Sequence, residues 1–203
     1  MSVRILRHGS LRILAVLLAV LGGLLITATP SQAAPSKVLN YQFQWQENYY
    51  YCGPAATRIA LTGRGQYYSQ NYIAGQLGTT TNGTNSAADT TRVLNSLGRT
   101  GFYETKWIPG NMATPAEISR LRWDLVYDID RNYPIVANVV GTAVDTDGDA
   151  HSYPGGHYLA VVGYSNDGAS AKLADPADAN GYGWYWMETT RLAHWIAARG
   201  YSA

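Results

Sequence analysis

Near Pro134 the hydrophobic pattern of the chain changes period, and that change limits the fold more than any other feature. Before it, apolar residues recur at helical spacing. Ile118, Leu121, Leu125 and Ile129 share one face of a segment opened by Thr114-Pro-Ala-Glu117, a capping box with proline in the first turn. This predicts a helix from Thr114 to about Arg131. Shorter helices are predicted at Cys52–Gly63, Ser69–Leu77 and Ser86–Leu97, with Gly63 and Gly98 as stops. After Pro134 come β-branched and aromatic runs, PIVANVVG, HYLAVVGYS, SAKLADP and GWYWME, separated by Gly, Asn and Asp turns. A last helix is expected at Thr190–Arg199, and YQFQWQ near residue 41 reads as a short extended segment. Helices first and antiparallel strands afterwards describe an α+β architecture with segregated layers.

Residues 1–33 read differently. Arg4, Arg7 and Arg12 lead into an apolar run from Ile13 to Ile26, followed by small residues at Ser31 and Ala33. A basic start, an apolar run and a small-x-small site predict a secretory signal peptide cleaved after Ala33 or Ala34. Its fourteen apolar residues fall short of the roughly 20 that a membrane span needs. The expected product is a secreted domain over 34–203, with no stable membrane association. Losing the segment leaves twelve basic and fourteen acidic residues, a formal charge of −2. No basic stripe remains, so nucleic acid is not an expected partner. No cofactor is expected either.

Cys52 is the only cysteine in the chain. In an exported protein an odd cysteine points to a reactive thiol or an intermolecular link, with a buried inert thiol as the plain reading. Its place argues for reactivity. At the start of a predicted helix, unsatisfied N–H groups and the helix dipole favour the thiolate. The Cys52 N–H would also point at an oxyanion formed on an attacked carbonyl, with the side-chain amide of Gln46 as second donor, or Gln44 in its stead. A base is available from the hairpin around SNDGAS. A turn centred near Asp167 brings His157 and Asp175 to one end of that hairpin, within reach of each other if the register holds. A carboxylate so placed fixes the imidazole tautomer. Asp178 is the alternative carboxylate. Of the other histidines, His151 is expected in a solvated or substrate-side loop, and His194 on the last helix as a packing residue. The Asp145, Asp147, Asp149 run suggests a calcium loop, but the position where an EF-hand needs a bidentate Glu is Gly156. A solvated turn is the expectation there. Asn82-Gly-Thr84 is a glycosylation sequon.

Together, QENYYYCGPAA, PGGHYLAVVGY and LADPA resemble the papain-fold cysteine peptidases of the C39-like group. In order and spacing the resemblance covers most of residues 41–188. It implies a Cys-bearing helix on an antiparallel sheet that carries the His and the Asp. By that resemblance Cys52 is the nucleophile, His157 the general base and acid, Asp175 the orienting carboxylate and Gln46 the oxyanion-hole donor. The implied function is a secreted thiol hydrolase acting on a peptide or protein substrate. Two other classes stay open: a thiol amidase or acyltransferase on cell-wall peptides, and a non-catalytic binding module of the same fold.

Overall fold

Seven strands and five helices make up residues 35–203, the part of the chain that this computed structural model describes. The expected signal segment lies outside the described residues. In chain order the elements are β1 (Lys37–Val38), α1 (Cys52–Gly63), α2 (Gln70–Leu77), α3 (Ala87–Leu97), β2 (Thr105–Ile108) and α4 (Pro115–Asp130). Then follow β3 (Ile135–Val144), β4 (Ala150–Ser165), β5 (Ser170–Ala174), β6 (Trp184–Glu188), α5 (Thr189–Ile196) and β7 (Arg199–Ser202). All the strands join one antiparallel sheet in the order β2-β7-β3-β4-β5-β6, with β1 added to β4.

The period-two pattern of β3 sorts its side chains between two helical layers. Ile135, Ala137 and Val139 join Leu159 and Val161 of β4 beneath Leu121, Leu125 and Ile129 of α4 and Leu192 and Ile196 of α5. Val136 and Tyr158 point the other way, against Ala56, Ala60 and Leu61 of α1, Ile73 of α2 and Leu94 of α3. The sheet is therefore covered on both faces. Helix α4 begins as expected, with Thr114 and Glu117 forming the reciprocal capping box.

Three expectations change. The last helix stops at Ile196, because Ala198 takes a left-handed conformation (φ 62°) and its N–H donates to Gly110 O at 2.7 Å. The chain then forms β7, inserted between β2 and β3, a position that no local propensity reveals. YQFQWQ forms no ladder; it is tacked down by Gln42 N–H on Thr62 Oγ1 (2.9 Å) and Gln46 N–H on Pro176 O (3.0 Å). The segment through His151 is not a loop, since β3 and β4 continue as a hairpin arm out to Val144 opposite Ala150.

Asp124 and Asp128, one turn apart on α4, are both buried. Tyr201 donates to Asp124 Oδ2 at 2.6 Å, whereas Asp128 Oδ2 has no hydrogen-bond partner among the described residues. Burial and the neighbouring Asp124 charge push the Asp128 carboxyl up to about 8. A carboxyl raised on folding stabilises fully below its unfolded value of roughly 4 and loses that contribution as pH rises through its folded value. Asp128→Asn should therefore stabilise the fold above about pH 8, on the order of 1–3 kcal/mol by urea unfolding, and change little near pH 4. An equal effect at both ends would rule out the titration of Asp128.

Candidate active site

Cys52 opens α1, whose N-terminus has no side-chain cap. Pro54 sits in the first turn at no cost, having no N–H to leave unpaired. Ala55 N–H donates to Tyr51 O at 2.9 Å, and of the remaining first-turn N–H groups that of Gly53 serves the Cys52 thiol, which leaves the Cys52 N–H for a ligand. Gly53 is required by close approach: a Cβ there would run into the Thr84 side chain. The loop carrying Thr84 thus closes over the helix start and forms one wall of the site.

His157 is aimed by an irregularity in β4. It pairs with Val139, but Gly141 pairs with Tyr153, so Pro154-Gly155-Gly156 bulges out of the ladder just before the histidine. Gly156 has φ 96°, which a side chain would strain. On its other edge β4 meets β5 with Ala160 opposite Ala174, so Asp175 leaves the sheet at the level of Leu159, two residues from His157. A register shift between Val161 and Gly163 separates this end from the turn.

His157 Nε2 contacts Asp175 Oδ1 at 2.7 Å, and both residues are buried. The carboxylate is saturated: Ala177 N–H also donates to Oδ1 (2.9 Å), and the hydroxyls of Tyr153 (2.9 Å) and Tyr185 (2.7 Å) donate to Oδ2. Tyr153 also stacks on the imidazole, with ring centroids 3.9 Å apart. With Nε2 committed to Asp175, Nδ1 is the ring nitrogen left for the thiol. Burial pushes the Cys52 thiol up, but the hydrogen bond and charge of His157 and the N–H groups of Tyr158 and Gly53 outweigh it and lower its pKa. Burial likewise acts to lower the His157 pKa, yet Asp175 and Cys52 raise it to about 9. Asp175 is raised by burial and brought below the usual carboxylate range by His157 and its N–H and O–H donors. The arrangement favours a thiolate–imidazolium pair backed by a carboxylate.

Known proteins share the family and the fold of this chain. The Peptidase_C39 like family profile matches residues 38–203. The chain belongs to the C39-like peptidase family. No curated protein matches it. Among solved structures, the peptidase domain of Streptococcus ComA, a bi-functional ABC transporter involved in quorum sensing, superposes with a TM-score of 0.52 at 21% identity, covering 81% of this chain and 98% of that one. A structure described as a C39-like peptidase from Bacillus anthracis gives 0.53 at 13% identity, covering 83% and 96%. At these identities the likeness carries the fold, which is the papain-like α+β architecture that the three motifs implied.

In this C39-like domain a cleft of about 350 Å³ opens over Cys52 and His157. One wall comes from Thr81, Asn82, Thr84 and Asn85, so the sequon lies at the cleft; Tyr49 and Tyr50, Asn138 and Tyr158, and Arg199 complete it. Cys52, His157 and Asp175 are thus brought together. Gln46 is placed beside them without lining the cleft: its N–H holds Pro176 O, and its Nε2 donates to Asn48 O at 2.9 Å. An amide flip would set oxygen against that carbonyl, so the assignment stands. The second Nε2 hydrogen makes no hydrogen bond among the described residues, and Oε1 is buried without a partner. Gln44 has a buried Oε1 without a partner among the described residues.

The other candidates have work elsewhere. Asp178 accepts from the N–H groups of Asn180, Tyr182 and Gly183 and lies 3.5 Å from His151 Nδ1. His151 is buried rather than solvated, with Nε2 3.1 Å from Asp145 Oδ2 and its ring stacked on Tyr185. Asp145 is buried too, accepting from the N–H groups of Asp147 and Asp149. The acidic run is thus a turn folded around an internal carboxylate instead of a solvated one, and among the described residues no group of His, Cys, Asp or Glu is arranged to hold a metal ion. His194 Nδ1 accepts from Ala113 N–H at 3.2 Å, a packing role. Tyr153, Tyr185, Asn138 and Arg199 are site residues that the sequence reading did not pick out. Tyr185 alone had a signal, since it stands opposite Leu173 in GWYWME and so shares a face with Asp175.

Proposed function

We propose that the chain is a secreted cysteine peptidase that hydrolyses peptide bonds through a thioester. Cys52 Sγ attacks the scissile carbonyl carbon, and the carbonyl oxygen takes up negative charge against the Cys52 N–H and the free amide hydrogen of Gln46. Protonated His157 gives its proton to the leaving nitrogen as the C–N bond breaks, and the amine departs. Neutral His157 then takes a proton from water, whose oxygen attacks the thioester. The acid product leaves and the thiolate–imidazolium pair is restored. Asp175 keeps Nε2–H pointed at itself and Nδ1 at the sulfur throughout, a positioning and charge-stabilising role. In this reading residues 1–33 act as a cleaved signal peptide and the mature domain, 34–203, works outside the cell.

One observation supports it above the others: the 2.7 Å contact between His157 Nε2 and Asp175, formed at the ring that lowers the Cys52 thiol. A non-catalytic module has no use for a buried, four-donor carboxylate behind an imidazole at its one thiol. The test is digestion of an unfolded polypeptide mixture by the protein 34–203, followed by mass spectrometry of new termini. Cleavage that prior alkylation of Cys52 removes is the expected result. Ligated products in place of hydrolysed ones would make the protein an acyltransferase, and no turnover with a fully reactive thiol would make it a binding module.

A further inference from the structure

Arg199 stands in the cleft as a cation without an anion. It and His157 are the only cationic side chains of the lining, and no Asp or Glu lines the cleft at all. Among the described residues Arg199 takes part in no ion pair, as is also true of Arg58, Arg64, Arg99, Arg120 and Arg131, but of these it alone lines the cleft. Residues 1–34 contain no acidic side chain that could supply one. Its position is set by the sheet rather than by a loose loop. β7 runs beside β3 with Val136 opposite Ser202 and Ala137 opposite Tyr201, a register that brings Arg199 level with Val139, the partner of His157. Two strand spacings, roughly 10 Å, separate the Arg199 and His157 backbones. The side chain crosses part of that gap: Nη2 lies 3.6 Å from where a Cβ of Gly156 would stand. The guanidinium therefore hangs over the residue that precedes the imidazole.

From this we infer that Arg199 is a specificity residue, and that it pairs with a carboxylate of the bound peptide next to the scissile bond. The inference rests on the peptidase reading above. A guanidinium presents a planar fork of donors that matches a carboxylate in two parallel hydrogen bonds, and a cleft without acidic walls offers it no competing partner. Asn82, Asn85 and Thr84 across the cleft are neutral polar groups that suit an extended polar peptide. The substrate class is thus a peptide that carries negative charge beside the cleaved bond, either on an Asp or Glu side chain or as the chain's own C-terminal carboxylate.

The test uses matched peptide pairs on the protein 34–203: Glu against Gln at each position flanking the cleaved bond, and a free C-terminus against its amide. For one of these sources the charged member should be preferred by wild type. In Arg199→Ala its kcat/KM should fall on the order of 10–100-fold, mainly through KM, and several-fold more than that of the neutral member. Arg199→Lys should lie between them. Loss confined to the Glu pairs assigns the side-chain carboxylate, and loss confined to the free C-terminus assigns the terminal one. A second readout needs no turnover: the ratio of Cys52 alkylation by iodoacetate to that by iodoacetamide, reagents that differ by a negative charge. It should drop several-fold in Arg199→Ala. If wild type cleaves nothing, the peptidase reading fails while this ratio still decides whether Arg199 attracts anions to the thiol. Peptide preferences and a reagent ratio both unchanged in Arg199→Ala would overturn the inference.

Discussion

Cys52→Ala should abolish turnover, with kcat reduced on the order of 10⁶-fold as for removal of the nucleophile in other acyl-transfer enzymes. The chain has no second thiol to form the thioester. Cys52→Ser tests the same point more finely. The hydroxyl fits the space of the sulfur and can receive the same hydrogen bonds, but it is far harder to ionise beside the same imidazole. A serine variant close to alanine in rate means that the thiolate is the reacting species. Steady-state hydrolysis of a good peptide, with circular dichroism to check folding, measures both. Retained activity in Cys52→Ala would end the covalent mechanism.

At Asp175 the effect is nearly as large, and its structural origin is more specific. Alanine there strands the Nε2–H of His157, the Ala177 N–H and the Tyr185 hydroxyl, and takes from the Tyr153 hydroxyl one of its two acceptors. Removing one member of a buried charged pair costs roughly 3–5 kcal/mol of stability, and the loss of tautomer control should lower kcat on the order of 10²–10⁴-fold. Asparagine should be milder. Its oxygen can keep the bonds from His157 and Ala177, and Tyr153 has a second acceptor in Ala177 O at 3.1 Å. What asparagine cannot supply is charge. The alkaline limb of the kcat/KM profile, set by loss of the His157 proton near 9, should therefore move to lower pH in both variants. Thermal unfolding and pH–rate profiles of the pair separate the structural cost from the electrostatic one. Equal rates in wild type and Asp175→Ala would remove Asp175 from the mechanism.

Those parts of the site that depend on local signals were legible in the sequence. Cys52 could be put at a helix start because proline follows two residues later. The His157–Asp175 pair followed from counting back from one turn, and the register shift near Gly163 falls between that turn and the site without moving the pair to opposite faces. The resemblance to the C39-like group added the family, which the profile match bears out. What stayed hidden depends on tertiary contact. Arg199 was expected at the end of a helix, but Ala198 breaks the helix and the free edges of β2 and β3 capture the residues after it. His151 and Asp145 look solvent-facing in a Gly- and Asp-rich stretch, yet their mutual hydrogen bond lets both be buried. The Gln46 side chain has a nearby carbonyl, Asn48 O, competing for its amide, and no pattern of residue types encodes that choice.

The central claim is that Cys52 is held as a thiolate by His157. Its most direct measurement is the rate of Cys52 alkylation by iodoacetamide as a function of pH, followed by intact mass, in wild type and in His157→Ala. A thiol lowered by its imidazole should react at a rate that stays high well below the free-cysteine value of about 8.5. In His157→Ala the rate at neutral pH should fall and the titration should move up, since burial then acts on the thiol with less to oppose it. A wild-type profile that titrates like a free thiol, unchanged by loss of His157, would contradict the account.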